Sequence, residues 1–419
     1  MFMPGKVNRC LQDSNMPSRG RASAWHVFGW PLAGICMDDT PLTETAMSIP
    51  NRCLALLAGA LVFSQPAFPA TFCATSTSEL QNALSTAAVN GEADIVRIAT
   101  GTYPAPAGGS FLFDPLAPVN GDEEDLTLSG GWTPFFDNPC GQRSNAFSPF
   151  DTLLDGENRE RVLRIVPEGA PDIVIEGITF ISGNPSESGT RRGGGLELRD
   201  FAFTGTLRIE RSAFLFNTAN YGSAISANGD IVRLRNNLIA GNDAENSNAV
   251  EVAGREGDTG VYLTANTIIN NVVQSTAQNA RGGVYVFLWE DTRALLVNNV
   301  IHGNEVRDLA LAGIGVVTMR NNLVDVQQGS ADSVTGQVSG DPMFIGGFLN
   351  LIDFTPDIGS PLIDAGIRPP TLIPFPPPFD SLWSLPDYDL LGRPRIQGMT
   401  ADVGAYEATP HVVFDDGFE

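Results

Sequence analysis

The chain has no lysine after Lys6, so every later basic side chain is arginine. Chemistry that needs a lysine amine, Schiff-base formation above all, is excluded from that stretch. Histidine is almost as scarce: His26, His302 and His411 are the only three in 419 residues. Basic side chains are outnumbered, 25 against 48 acidic, for a net charge of −23. That balance argues against nucleic acid or an anionic membrane surface as the main partner. Aromatic residues make up only 8%. No apolar run reaches the ~20 residues that a membrane-spanning helix needs, so no span is expected in the mature chain. What remains is a hydrophobic content of 42%, enough for a core, with 44 glycines and 29 prolines that lean away from helical bundles.

Residues 47–70 read MSIPNRCLALLAGALVFSQPAFPA: one arginine, an apolar run from Leu54 to Phe63, then Pro66 and a small residue at Ala70. This is the order of a secretory signal peptide cleaved near Ala70. A signal peptide begins at the initiator, so Met47 is the expected start, and 1–46 is expected to lie outside the fold. Cleavage leaves 44 acids and 20 arginines, a net of −24. Of the five cysteines, Cys73 and Cys140 remain, 67 residues apart, and in an exported chain they are most simply one disulfide. Two thiols and two histidines supply too little for a zinc site, so no metal residues are assigned.

The strongest signal is an internal repeat. IVIEGITFISGN, LRIERSAFLFN, VRLRNNLIAGN, VYLTANTIINN, LLVNNVIHGN and VTMRNNLV align without gaps. Anchored on Ile175, Ile209, Leu234, Leu263, Leu296 and Met319, the position five residues on is Phe180, Phe214, Ile239, Ile268, Ile301 and Val324. Both columns are wholly apolar. Asn237, Asn266, Asn299 and Asn322 form a third column, and Asn217, Asn242, Asn271 and Asn304 a fourth. Anchor spacings of 34, 25, 29, 33 and 23 residues combine a constant core with loops of variable length, as in solenoids. Short alternating strands turned at fixed Asn or Gly positions predict an all-β fold, a right-handed parallel β-helix. The Asn columns are read as structural, stacking along the axis and serving a left-handed corner.

A second strand precedes each anchor: Leu196–Leu198, Ile225–Ala227, Val250–Val252, Val284–Val286 and Leu309–Leu311. Alternation places its flanking residues inside and leaves an outward row of Glu197, Ser226, Glu251, Tyr285 and Ala310. Residues 77–90 carry helical periodicity with Ser76 or Thr77 as N-cap, and predict a helix capping the first coil. The divisions are 71–150 for the cap and first coils, 151–330 for the repeats, 331–407 for closing coils and 408–419 for an acidic tail.

CATSTSELQNAL, DIVRIATGTY, LTLSGGW, LLDGENRERVLRI and the repeats, with GDPMF (340–344), GSPLIDAG (359–366), DLLGRPR (389–395) and ADVGAYE (401–407), carry a resemblance. Together they resemble exported bacterial right-handed β-helix proteins with a choice-of-anchor Q terminal region, within the pectate-lyase-like superfold. The resemblance implies a secreted, periplasmic or cell-surface protein that interacts with carbohydrate or is structural. It also admits a polysaccharide lyase or glycoside hydrolase, and an adhesin or protein-binding solenoid. The chain is expected to be a monomer.

If the face is catalytic, Glu197 and Glu251 are the candidate carboxylates. Two coils at ~4.8 Å each put their backbones ~9.6 Å apart. That is near the upper end of the ~6.5–9.5 Å of an inverting pair. Arg192, Arg199, Arg255 and Arg281 border the face with Tyr285 as substrate-binding candidates. Outward Glu and Arg are equally what a solvated sheet face presents. The paired-Asp motifs of polygalacturonases and the Asp cluster of a lyase calcium site are not visible. No cofactor is expected. Calcium stays a candidate ion through the acidic stretches Gly121–Asp125 and Asp415–Asp416, although neither has the spacing of a known calcium loop. His302 is read as a turn residue, and Asp364, Asp389, Arg393, Arg395, Asp402, Tyr406 and Glu407 as a buried polar network closing the last coil.

Overall fold

Alternating β-branched and apolar residues fold into strands that pair coil upon coil. The computed structural model describes residues 69–115, 124–167, 169–187, 189–199, 203–255, 260–277, 280–346, 352–370 and 378–409. The upstream segment, nearly all of the signal sequence, residues 121–123 and the tail from 410 lie outside the described residues. Strands stack in an 11-stranded sheet, two 8-stranded sheets and a narrow 3-stranded sheet, each ordered along the chain. Among the described strands, pairing is parallel apart from a hairpin between Leu126–Phe135 and Asn138–Gln142, and the closing segment adds two isolated antiparallel bridges. The protein is therefore an all-β solenoid of parallel strands.

The register follows the sequence columns. Ile175, Ile209, Leu234, Leu263, Leu296 and Met319 are successive partners in the first sheet. Phe180, Phe214, Ile239, Ile268, Ile301 and Val324 are successive partners in the second. These side chains meet those of the third sheet in one continuous core. Phe180 and Phe214 stack with ring centroids 4.6 Å apart.

Both Asn columns are ladders. Asn237, Asn266 and Asn299 each donate through Nδ2 to the next Asn Oδ1, at 3.0, 2.9 and 2.8 Å, ending on Asn322. Asn217, Asn242 and Asn271 do the same at 2.9, 2.9 and 2.8 Å, and Asn304 closes the run on Asp308. The left-handed corner residue is not the ladder Asn, as expected from sequence, but its predecessor: Arg211, Asn236, Ala265, Asn298 and Asn321 at the first corner. Phe216, Gly241, Asn270 and Gly303 occupy the equivalent place at the second. The ladder residue keeps ordinary backbone because its amide must lie inside, along the axis. The turn is made one step earlier.

The helix spans Thr77–Ala87 with Ser76 as N-cap, and buries Leu80, Ala83, Leu84 and Ala87 over the first coil. Its polar side chains finish two strand edges: Thr77 donates to Pro104 O at 2.8 Å, and Gln81 exchanges two hydrogen bonds with the Leu112 backbone. A Cys73–Cys140 disulfide, with Cα atoms 5.7 Å apart, ties the first strand to the hairpin.

The closing block is a buried polar network, but it lies along the coils rather than over the last one. Phe354, Leu390, Ala405 and Tyr406 cover Ala213, Leu215, Leu238, Ala240 and Ile269 on the outer face of the second sheet. Leu362 and Val403 cover Val300 and Leu323, and Trp383 covers Tyr262, Leu295 and Val297 of the first sheet. Within the block, buried Asp389 pairs with Arg393 at 2.6 Å, and buried Arg395 with Glu407 at 3.3 Å. Tyr406 donates to Ile352 O. Asp364 and Asp402 accept from the Thr400 and Asp364 amides. The left-handed asparagines hold this strap: Asn236 donates to Tyr388 O, Asn298 to Ile367 O and Asn321 to Ala365 O, at 3.0, 2.9 and 2.8 Å.

Candidate functional site

The outward row of the third sheet has the expected register. Arg164, Glu197, Ser226, Glu251, Tyr285, Ala310 and Gln328 are successive partners along the axis. Glu197 and Glu251 are thus two coils apart with fully buried Ser226 between them.

Each carboxylate is engaged by two guanidinium groups. Glu197 lies 3.1 Å from Arg161 and 3.5 Å from Arg164. Glu251 pairs with Arg192 and, at 2.8 Å, with Arg199. Arg161 is almost completely buried and also donates to the Arg192 and Gly193 carbonyls, which pins the loop bordering the face. Arg192 stacks on Tyr221 at 4.8 Å. The charged residues therefore converge on one another rather than around an open volume. They act as ionic clamps between coils.

Of the remaining candidates, Arg281 stacks on the Tyr285 ring at 4.4 Å. Burial moves the Tyr285 phenol up and the Arg281 guanidinium down from their ordinary values. Arg255 stands apart, donating to Phe203 O at 3.2 Å where the third sheet turns toward the first. His302 ends the strand Val300–His302 rather than lying in a turn, and its Nδ1 is 2.6 Å from Asp325.

Sequence reasoning passed over Arg161 and Arg164, which come from the preceding coil, and two aromatic residues. The strand Val284–Leu288 carries Tyr285 and Phe287 outward, and Trp289 follows. Their centroids are 6.4 Å and 5.3 Å apart in sequence order, so the three rings form one contiguous strip. Period-two spacing of aromatics through Tyr285, Phe287 and Trp289 was the available signal. In the flanking coils Phe287 is paired with Ala253 and Ala312, and Tyr285 with Ala310. Trp289 is 49% exposed. Tyr285 and Phe287 are half-buried.

Two clefts lie at coil corners: one of about 680 Å³ lined by Asp291, Arg293, Ile314 and Pro378, just beyond Trp289, the other of about 580 Å³ lined by Phe216, Asn270 and Phe354. Among the described residues no group of three or more His, Cys, Asp or Glu side chains is placed to hold a metal ion, and no helix is long and apolar enough to cross a membrane. Asp125, from the acidic stretch considered for calcium, accepts the Asp172 amide at 2.8 Å. Comparison with known proteins shows no matching family model, curated protein or solved structure.

Proposed function

We propose that the protein is an exported, right-handed parallel β-helix of the choice-of-anchor Q kind that interacts with carbohydrate at the cell surface or outside the cell. The observation that carries the reading is the contiguous strip of half-buried Tyr285 and Phe287 with exposed Trp289, on a sheet face whose other outward residues are charged, polar or small. Aromatic rings stack on the C–H faces of sugars while neighbouring polar groups reach their hydroxyls. The leader-like segment before Thr71 and the resemblance of the closing block support export. The clamping of Glu197 and Glu251 by four arginines favours binding over a lyase or hydrolase.

The test is incubation with a panel of neutral and uronate polysaccharides, with and without Ca²⁺. Retention of the protein without product is the expected result. Reducing-end release or unsaturated-product absorbance would instead assign the face to a hydrolase or lyase.

A further inference from the structure

Resting on the carbohydrate reading, we infer that the ligand is a neutral glycan, and that it lies across the solenoid along the strand Val284–Leu288 rather than down the axis over Glu197 and Glu251. Outward positions along one strand advance ~3.3 Å per residue, so Tyr285 to Trp289 spans about 13 Å, room for more than one sugar ring.

The neighbours of the strip set its shape. Ala253 and Ala312 beside Phe287, and Ala310 beside Tyr285, rise one carbon above the sheet. Phe287 therefore stands above both adjacent coils, and Tyr285 above the following one, with Glu251 on its other side, so that the rings form a ridge. A chain laid along the axis would cross this ridge once; a chain laid across the axis meets all three rings.

Charge decides the class of glycan. Arg161, Arg164, Arg192 and Arg199 are already committed to Glu197 and Glu251. Arg281 stands at the tyrosine end of the strip, offset by the exposed Glu290 and Asp291 that follow Trp289 at the other end. With one arginine against two carboxylates the strip is slightly acidic within a chain of net charge −23, which repels polyanions and leaves uncharged rings as the better match. Arg281 then serves hydroxyl groups from its perch on Tyr285.

The test is calorimetric titration of the whole protein with neutral oligosaccharides of increasing length and with uronate oligosaccharides, at low and high NaCl. Neutral ligands are expected to bind with little dependence on salt, since screening acts on charge pairs. Trp289→Ala and Phe287→Ala should each weaken that binding about tenfold. Trp289→Phe should keep most of it, which separates loss of stacking from loss of fold. Binding confined to uronates and abolished by salt would overturn the neutral assignment while leaving the carbohydrate reading intact. Neutral binding unchanged in both alanine variants would overturn the placement on this strip. Silence toward every glycan by a folded protein would overturn both.

Discussion

The outer faces of the second and third sheets are built from the same coils, yet they have opposite character. On the second sheet the outward residues Ala213, Leu215, Leu238, Ala240, Ile269, Val300 and Leu323 are all buried. On the third, the outward row presents Arg164, Glu197, Glu251 and Tyr285 to solvent. The difference comes from the closing segment, which runs back over the second sheet and leaves the third uncovered. Strands that are apolar on both faces are covered on both faces, whereas a strand that alternates keeps one face open. A solenoid can thus commit one side to stability and free another for contact.

The largest effect that would break this comparison is removal of the anchor of the covered side. Asp389 is fully buried, accepts from the Leu391, Arg393 and Glu407 amides and pairs with Arg393. Asp389→Ala leaves that arginine without its charge partner, and should cost about 3–5 kcal/mol in urea denaturation. An unchanged midpoint would mean that the strap is not part of the cooperative fold. The pH response belongs to the same region. Burial raises the Glu407 carboxyl from 4.5 to about 8, against the opposing pull of Arg395. The folded state then holds a proton that the unfolded chain releases, so stability should fall as pH rises from 4.5 to about 8, and Glu407→Gln should flatten that slope.

These regions were unequally legible in the sequence. The solenoid was legible because its interactions recur: Leu234 predicts Leu263, and Asn237 predicts Asn266, at one position in each coil. The row from Glu197 to Ala310 followed from strand alternation alone. The strap was not legible as a strap, since residues 352–370 and 378–409 have no period and contact different coils at unrelated places. The clue lay in its target, where AFL and LIA are apolar at outward as well as inward positions, and TII at one of its two outward positions. The pairing of Asn236 with Asn237 also hid two roles in one dipeptide: the first turns the corner and holds the strap, and the second builds the ladder. The clamps on Glu197 and Glu251 were only half visible, because Arg161 and Arg164 reach them from the preceding coil. The narrow sheet of Thr218–Tyr221, Asp243–Ser247 and Val272–Val273 was missed because those segments share no alternation.

Smaller effects test features common to both faces. The Cys73–Cys140 bond closes a loop of 67 residues. Replacing both cysteines by serine should lower stability by about 2–4 kcal/mol, read as a lower denaturation midpoint that reducing agent no longer shifts. Asn266→Ala interrupts the ladder, removing the acceptor shared by the Asn237 backbone and side-chain N–H groups and one of the two donors to Asn299 Oδ1. A loss of about 1–3 kcal/mol is expected, and a neutral result would mean that the ladder is not a source of stability.

The smallest effect belongs to the open face, and it makes the comparison sharp. Arg199 and Glu251 are partly exposed, and Glu251 keeps Arg192 when Arg199 is removed. Arg199→Ala should therefore change stability by no more than about 1 kcal/mol, the range of exposed ion pairs. The same carboxylate–guanidinium contact is thus expected to matter several times more in the strap than on the open row, because Asp389 is fully buried and also holds three backbone amides, whereas Glu251 keeps a second arginine. If Arg199→Ala proved as costly as Asp389→Ala, the open row would be as structural as the covered sheet. With a small cost, Arg192, Arg199 and their carboxylates hold the loops beside the row while the fold itself depends on the opposite face, so that the aromatic strip can vary without unfolding the coils.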